Sequence, residues 1–241
     1  MARRRITRKE LLRQPDQFIT RSARVIEWAE TNASSILYGV GAVLLVGALV
    51  GGWFVWQTKW RHQAEALLYE AINTGDGDNV MSQDASQNDR MVGALQALVR
   101  DYDRTPTAAQ AYWHLGRVYF ARADYVAALE AYEQARQRLS GDGQSALMRA
   151  LVSLNMAYAE EAQGACAQAL QDFEAVLQVS TATWLRGEAY LGMGRCHEQA
   201  DAPGLAAEIY NRALSDAEVN EFTRQALEER LANVKSAGLS D

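Results

Sequence analysis

Between Ile36 and Trp56 the chain carries 21 residues without a charge, and no charge occurs anywhere in residues 31–58. At about 1.5 Å per residue a helix of that length spans roughly 30 Å, the thickness of a bilayer hydrocarbon core. A soluble core helix this long would show a polar stripe, and none is present. Trp53, Trp56 and Trp60 gather at one end and Tyr38 sits at the other. Indole and phenol rings favour the headgroup level, so these four residues read as interface anchors. A cleaved signal peptide has a shorter apolar region of about 7–15 residues and a small-residue cleavage site. Neither is seen, and an uncleaved signal anchor fits better. Gly47 and Gly51 have the GxxxG spacing that permits close helix packing, although Gly is common in single membrane helices.

Charge is divided around this segment. Residues 1–30 hold eight basic and four acidic side chains, a net of +4, and residues 59–241 hold 16 basic and 26 acidic ones, a net of −10. The positive-inside bias puts the head in the cytoplasm and the acidic body outside, with Lys59 and Arg61 weakening the contrast. In a bacterial inner membrane the body would be periplasmic. The head shows structure signals of its own. Thr7 to Glu10 forms a capping box, flanked by Ile6 and Leu11 as a hydrophobic staple. Pro15 suits a helix start, and Phe18, Ile19, Ser22, Val25, Ile26 and Ala29 share a face. That pattern suits an amphipathic helix on an anionic leaflet, or docking onto a membrane partner.

The body is helical by composition, rich in Ala, Leu, Glu, Gln and Arg with three Pro in the whole chain. It also repeats. The clearest unit reads Tyr112-x-x-Leu115-Gly116-x-x-Tyr119, then Tyr125, Ala128, Tyr132 and Ala135. A second carries Met156-Ala157, Gly164, Ala169, Phe173 and Val176, and a third Tyr190-x-x-Met193-Gly194, Ala206, Tyr210 and Ala213. In each, a small residue of the first helix precedes a small residue of the second by 12, and an aromatic follows 4 later. Gly116, Ala157 and Gly194 would admit a close partner helix, and Tyr132, Phe173 and Tyr210 would fill the space. One hairpin cannot bury its apolar faces alone, so such units stack.

This pattern resembles the tetratricopeptide repeat family, with units of about 34 residues; here the spacing is 41 and then 37 residues. The expected fold is all-α, a single N-terminal transmembrane helix followed by an α-solenoid of hairpins. The expected organisation is a basic head over 1–34, the membrane helix over 35–57 and an interrupted first hairpin over 58–108. Three repeats over 109–215 and a capping helix with a tail over 216–241 complete it. In the first hairpin, Trp60–Ile72 and Asp89–Tyr102 read as helices around a polar loop. The resemblance implies that first helices line a concave groove. By the family's register that groove would show Gln110, Trp113, Arg117 and Phe120, then Leu154, Asn155, Tyr158 and Glu161, then Leu191, Arg195 and Glu198; each is equally open to being core. The carboxylate clamp of chaperone-binding relatives needs a Lys and two Asn, and only Asn155 matches.

Little reaction chemistry is legible. His62, His114 and His197 lack metal-ligand spacing, no CxxC pair or phosphate-cradling Gly loop occurs, and Glu160-Glu161 reads as a solvated helix face. Neither catalysis, a cofactor, a metal, a small-molecule substrate nor nucleic acid is expected. Cys166 and Cys196 would form a disulfide only if their Cα atoms come within roughly 7 Å in an oxidising compartment, and that pairing stays open. As a layout, the chain resembles the YfgM-like ancillary subunit family of the Sec translocon, through Gly52-Trp53, Trp56 and the Ala64–Ile72 helix. That resemblance implies an adaptor linked to the translocon, periplasmic chaperones and exported chains. The other readings are a scaffold for another envelope machine and an accessory subunit of a large inner-membrane complex, docked through its anchor.

Overall fold

The computed structural model describes residues 26–74, 85–139, 143–179 and 182–237. The capping box and most of the amphipathic stretch of the head lie outside these residues, as does the Gly- and Asp-rich centre of the loop after residue 74. Helical backbone covers 26–31. Nine longer helices follow among the described residues: α1 Ala33–Thr74, α2 Ala85–Asp101, α3 Pro106–Ala121, α4 Tyr125–Arg138, α5 Gly143–Ala162, α6 Cys166–Leu177, α7 Arg186–Gln199, α8 Pro203–Ser215 and α9 Glu221–Ala237. No strand occurs among the described residues, so the fold is all-α.

The chain divides between Lys59 and Trp60 into two compact units. In the first, the apolar run is helical throughout, and its most apolar stretch has no buried residue. It is long and apolar enough to cross a membrane. Tyr38, Trp53 and Trp56 are exposed, and the Trp53 and Trp56 rings lie 5.5 Å apart. Nothing described lies within 4 Å of a Cβ built on Gly47 or Gly51, so that face is open. Trp60–Ile72 is indeed helical, but it is no separate element. The 42-residue α1 has no break after the apolar run, because Gln57, Thr58 and Lys59 change the polarity there without breaking the helix.

The second unit is a stack of hairpins. Helices α3 and α4, α5 and α6, and α7 and α8 pair, and α9 packs on α8 and α7. The first helices α3, α5 and α7 also approach one another in turn. Among the described residues the second helices α4, α6 and α8 do not. The first helices therefore form the inner layer.

Close approach explains the repeat register. A Cβ on Gly116 would fall 2.3 Å from the Tyr132 ring, and one on Gly194 would fall 2.0 Å from the Tyr210 ring. Tyr132 and Tyr210 are almost wholly buried. The middle unit differs. Ala157 and Phe173 share one core, but the tip of the Phe173 ring meets Gly192 of the next hairpin, 2.1 Å from a Cβ placed there.

The hairpins α3–α4, α5–α6 and α7–α8 turn through one device. Ala123, Gly164 and Asp201 have φ of 57°, 75° and 53°, the left-handed region. The amide of Ala123 donates to the Phe120 carbonyl, and that of Asp124 to the Tyr119 carbonyl, at 2.9 and 3.0 Å. The same bonds recur at Gly164–Ala165 and Asp201–Ala202. This is the Schellman ending, which satisfies carbonyls that a helix end leaves unpaired. The three turns repeat the 41- and 37-residue spacing.

Candidate functional site

The inner layer holds most of the expected groove residues. The Arg117 guanidinium lies 4.8 Å from the centre of the Trp113 ring, and the His114 ring lies 4.8 Å from it on the edge. Burial, then the charge of Arg117, pushes the His114 imidazole down to about 4, so it is neutral at pH 7. The Trp113 Nε1 is buried with no acceptor among the described residues. Phe120 packs edge-on to Tyr125 at 5.4 Å. One hairpin on, Asn155 accepts from the Tyr132 hydroxyl at 3.4 Å and donates to the Leu151 carbonyl at 2.7 Å. Tyr158 donates to Glu188 at 2.9 Å, and its ring lies 5.8 Å from the Arg195 guanidinium. Arg195 holds Glu161 through two bonds of 2.6 and 2.7 Å.

Others are placed differently. Leu154 is 5 % exposed and belongs to the core with Phe173 and Met193, so it is unavailable to a ligand. Leu191 is half-buried against the same core. Gln110 is exposed at the start of α3 and lines a separate pocket described below. Cys166 and Cys196 are both free thiols. They are neighbours: the Cys166 thiol donates to Gln199 Oε1 at 3.4 Å, one turn beyond Cys196. Burial, then contact with Cys166, pushes the Cys196 thiol up.

The adjacent glutamates are not a solvated face. Glu161 is committed to Arg195, with its side chain 11 % exposed. Glu160 points elsewhere, and its Oε2 is buried with no partner among the described residues. It borders an apolar groove of about 680 Å³ walled by Tyr112, Leu115 and Tyr119. No repeat signal marks this groove, because its walls come from four helices of different units.

Burial, with the Asp172 carboxylate adding to it and Arg136 opposing, pushes the Glu160 carboxyl up to about 7. A carboxyl raised in the fold favours the proton there. Its contribution to stability is full below about pH 4.5 and is lost as pH rises through 7. Glu160→Gln keeps the shape and removes the ionisation. It should stabilise the body at pH 8 by about 2 kcal/mol, after discounting for partial exposure, and by nothing near pH 4. Urea melts at the two pH values check this, and an equal difference at both would refute it.

The family follows from this arrangement of hairpins. A family model for the tetratricopeptide repeat-like domain matches residues 27–236. The chain belongs to that family. Comparison with curated proteins and with solved structures gives no match. The tetratricopeptide-like body is a protein-interaction fold, generally non-enzymatic, and the match points to no catalytic family. Its partners are therefore proteins, and one helix of the chain is suited to a bilayer.

Proposed function

We propose that this chain is a membrane-anchored interaction adaptor of the bacterial cell envelope, with a cytoplasmic head and a periplasmic body. It would work beside the Sec translocon or periplasmic chaperones on newly exported chains. The observation that carries the reading is the inner-layer surface. Trp113 and Arg117 stack there, Arg117 has no carboxylate partner among the described residues, and Asn155 and Tyr158 continue the face. Aromatic planes beside an uncommitted guanidinium suit an extended peptide with apolar side chains and an acidic group or terminus. The charge step from +4 to −10 across the apolar run supports the orientation.

Photo-crosslinking in native membranes tests it, with the crosslinker at Trp113 and, separately, at Tyr38. Secretory chains or a translocon component captured at Trp113 is the expected result. One discrete partner captured mainly from Tyr38 would overturn it in favour of an accessory or scaffold subunit of another inner-membrane assembly.

A further inference from the structure

The body is acidic, yet one of its pockets is basic. It has a volume of about 880 Å³, and Arg61 of α1, Arg104 in the α2–α3 turn and Arg138 at the end of α4 line it. One carboxylate, Asp103, lines it too. Asp103 is taken: it accepts from Arg138 Nε at 2.7 Å. Arg138 is fixed further by the Gln134 carbonyl at 2.9 Å and by the Tyr112 ring, 4.4 Å from its guanidinium. Arg61 and Arg104 have no ion-pair or hydrogen-bond partner among the described residues. Two guanidiniums thus converge uncompensated on one cavity, in a region whose other arginines mostly hold carboxylates.

The walls are built rather than loose. The Trp60 ring packs at 5.0 Å on Tyr102, which holds α1 against the turn that carries Arg104. The Thr105 hydroxyl donates to the Tyr102 carbonyl at 2.8 Å, so it does not cap α3. The positive end of that helix dipole adds to the arginine field. Leu139 and Met148 supply an apolar side to the same pocket.

The position selects the ligand. Arg61 follows Trp56 by five residues on one continuous helix, a rise of about 7.5 Å. The polar layer on each side of a bilayer is roughly 5–8 Å deep. The sequence therefore puts Arg61 within about one and a half turns of the end of the apolar run. A pocket with two guanidiniums unpaired among the described residues and an apolar flank, so close in sequence to the apolar run, matches a phosphodiester with its glycerol attached.

We propose that the Arg61–Arg104–Arg138 pocket binds the headgroup of an anionic phospholipid. The inference rests on Ile36–Trp56 spanning a membrane and is independent of the inner-layer groove. The full chain in detergent is titrated with short-chain phosphatidylglycerol, and Trp fluorescence is followed. Saturable binding is expected, at least fivefold tighter than for short-chain phosphatidylcholine. Arg104→Gln and Arg61→Gln should each weaken it at least fivefold, while Arg90→Gln, outside the pocket, should not. Equal weakening by Arg90→Gln would mean diffuse charge attraction and overturn the site. Competition by inorganic phosphate as strong as the lipid's own binding would assign it to a free anion instead. Flotation of the same proteins with vesicles separates the premises. If the wild-type chain does not float, the span and the site fall together. If all variants float and the lipid preference is absent, the site alone falls.

Discussion

Phe173→Ala should cost the body about 3–5 kcal/mol, the range for emptying a buried aromatic site. The side chain is fully buried on α6. Its ring meets Tyr158 of α5 edge-on at 5.6 Å and rests on Gly192 of α7. It thus rests on a glycine of the next hairpin, where Tyr132 and Tyr210 rest on glycines of their own. The vacated space cannot close easily. The wall at Gly192 is bare backbone, and Ala157 and Ala169 of the same core are too small to fill the space. Stability in a stacked array is roughly the sum of units and their interfaces, so loss at an interface also weakens coupling. Urea unfolding of residues 60–241 should show a lower midpoint and a broadened transition. Phe222→Ala, at a residue 87 % exposed, should change little. A loss below 1 kcal/mol for Phe173→Ala would mean that the hairpins are held elsewhere.

The repeats were legible because close helix contact demands something visible in a sequence. A glycine opposite an aromatic at fixed spacing records a distance, and Gly116 with Tyr132 and Gly194 with Tyr210 are found as that spacing predicts. Contacts between hairpins were not legible. They depend on how each unit is offset from the next, and the change from 41 to 37 residues alters that offset. Hence Phe173 was matched to Ala157 by register, whereas its ring tip lies on Gly192. The turns were only partly readable. Gly164 marks a left-handed residue, but Ala123 and Asp201 adopt the same conformation without glycine.

Charged residues were the least legible. Glu160 and Glu161 are neighbours in sequence, yet successive helix positions differ by about 100° around the axis. One reaches Arg195 on α7, and the other turns toward Asp172 and Arg136. The basic pocket has the same character. Arg61, Arg104 and Arg138 are far apart in the chain, and only the packing of α1 beside the α2–α3 turn collects them. Leu154 shows the converse limit: the family's register put it on the concave face, and the neighbouring hairpin made that position core.

Replacing both Leu45 and Leu49 by arginine should release most of the protein from membranes. Eleven of the residues in Ile36–Trp56 are Ile, Leu, Val or Phe. At roughly 0.3–0.6 kcal/mol each, they favour insertion by about 3–7 kcal/mol. Two arginines at the centre oppose it by about 5–7 kcal/mol, which cancels the whole sum. Both leucines are exposed on α1, so the substitutions disturb no packing. They lie four apart on one face, and their charges cannot both escape to the same headgroup layer. Arginines at Val126 and Leu205, exposed in the body, provide the control and should leave the membrane fraction unchanged. Alkaline carbonate extraction followed by flotation reads the outcome. Retention of the double variant in the floating fraction would show that the apolar run is not what holds the chain. The basic head, for which the sequence predicts an apolar face with Phe18, Ile19, Val25 and Ile26, would then be the anchor. In that case high salt should strip the protein from vesicles, because binding by a basic surface helix is screened and a spanning helix is not.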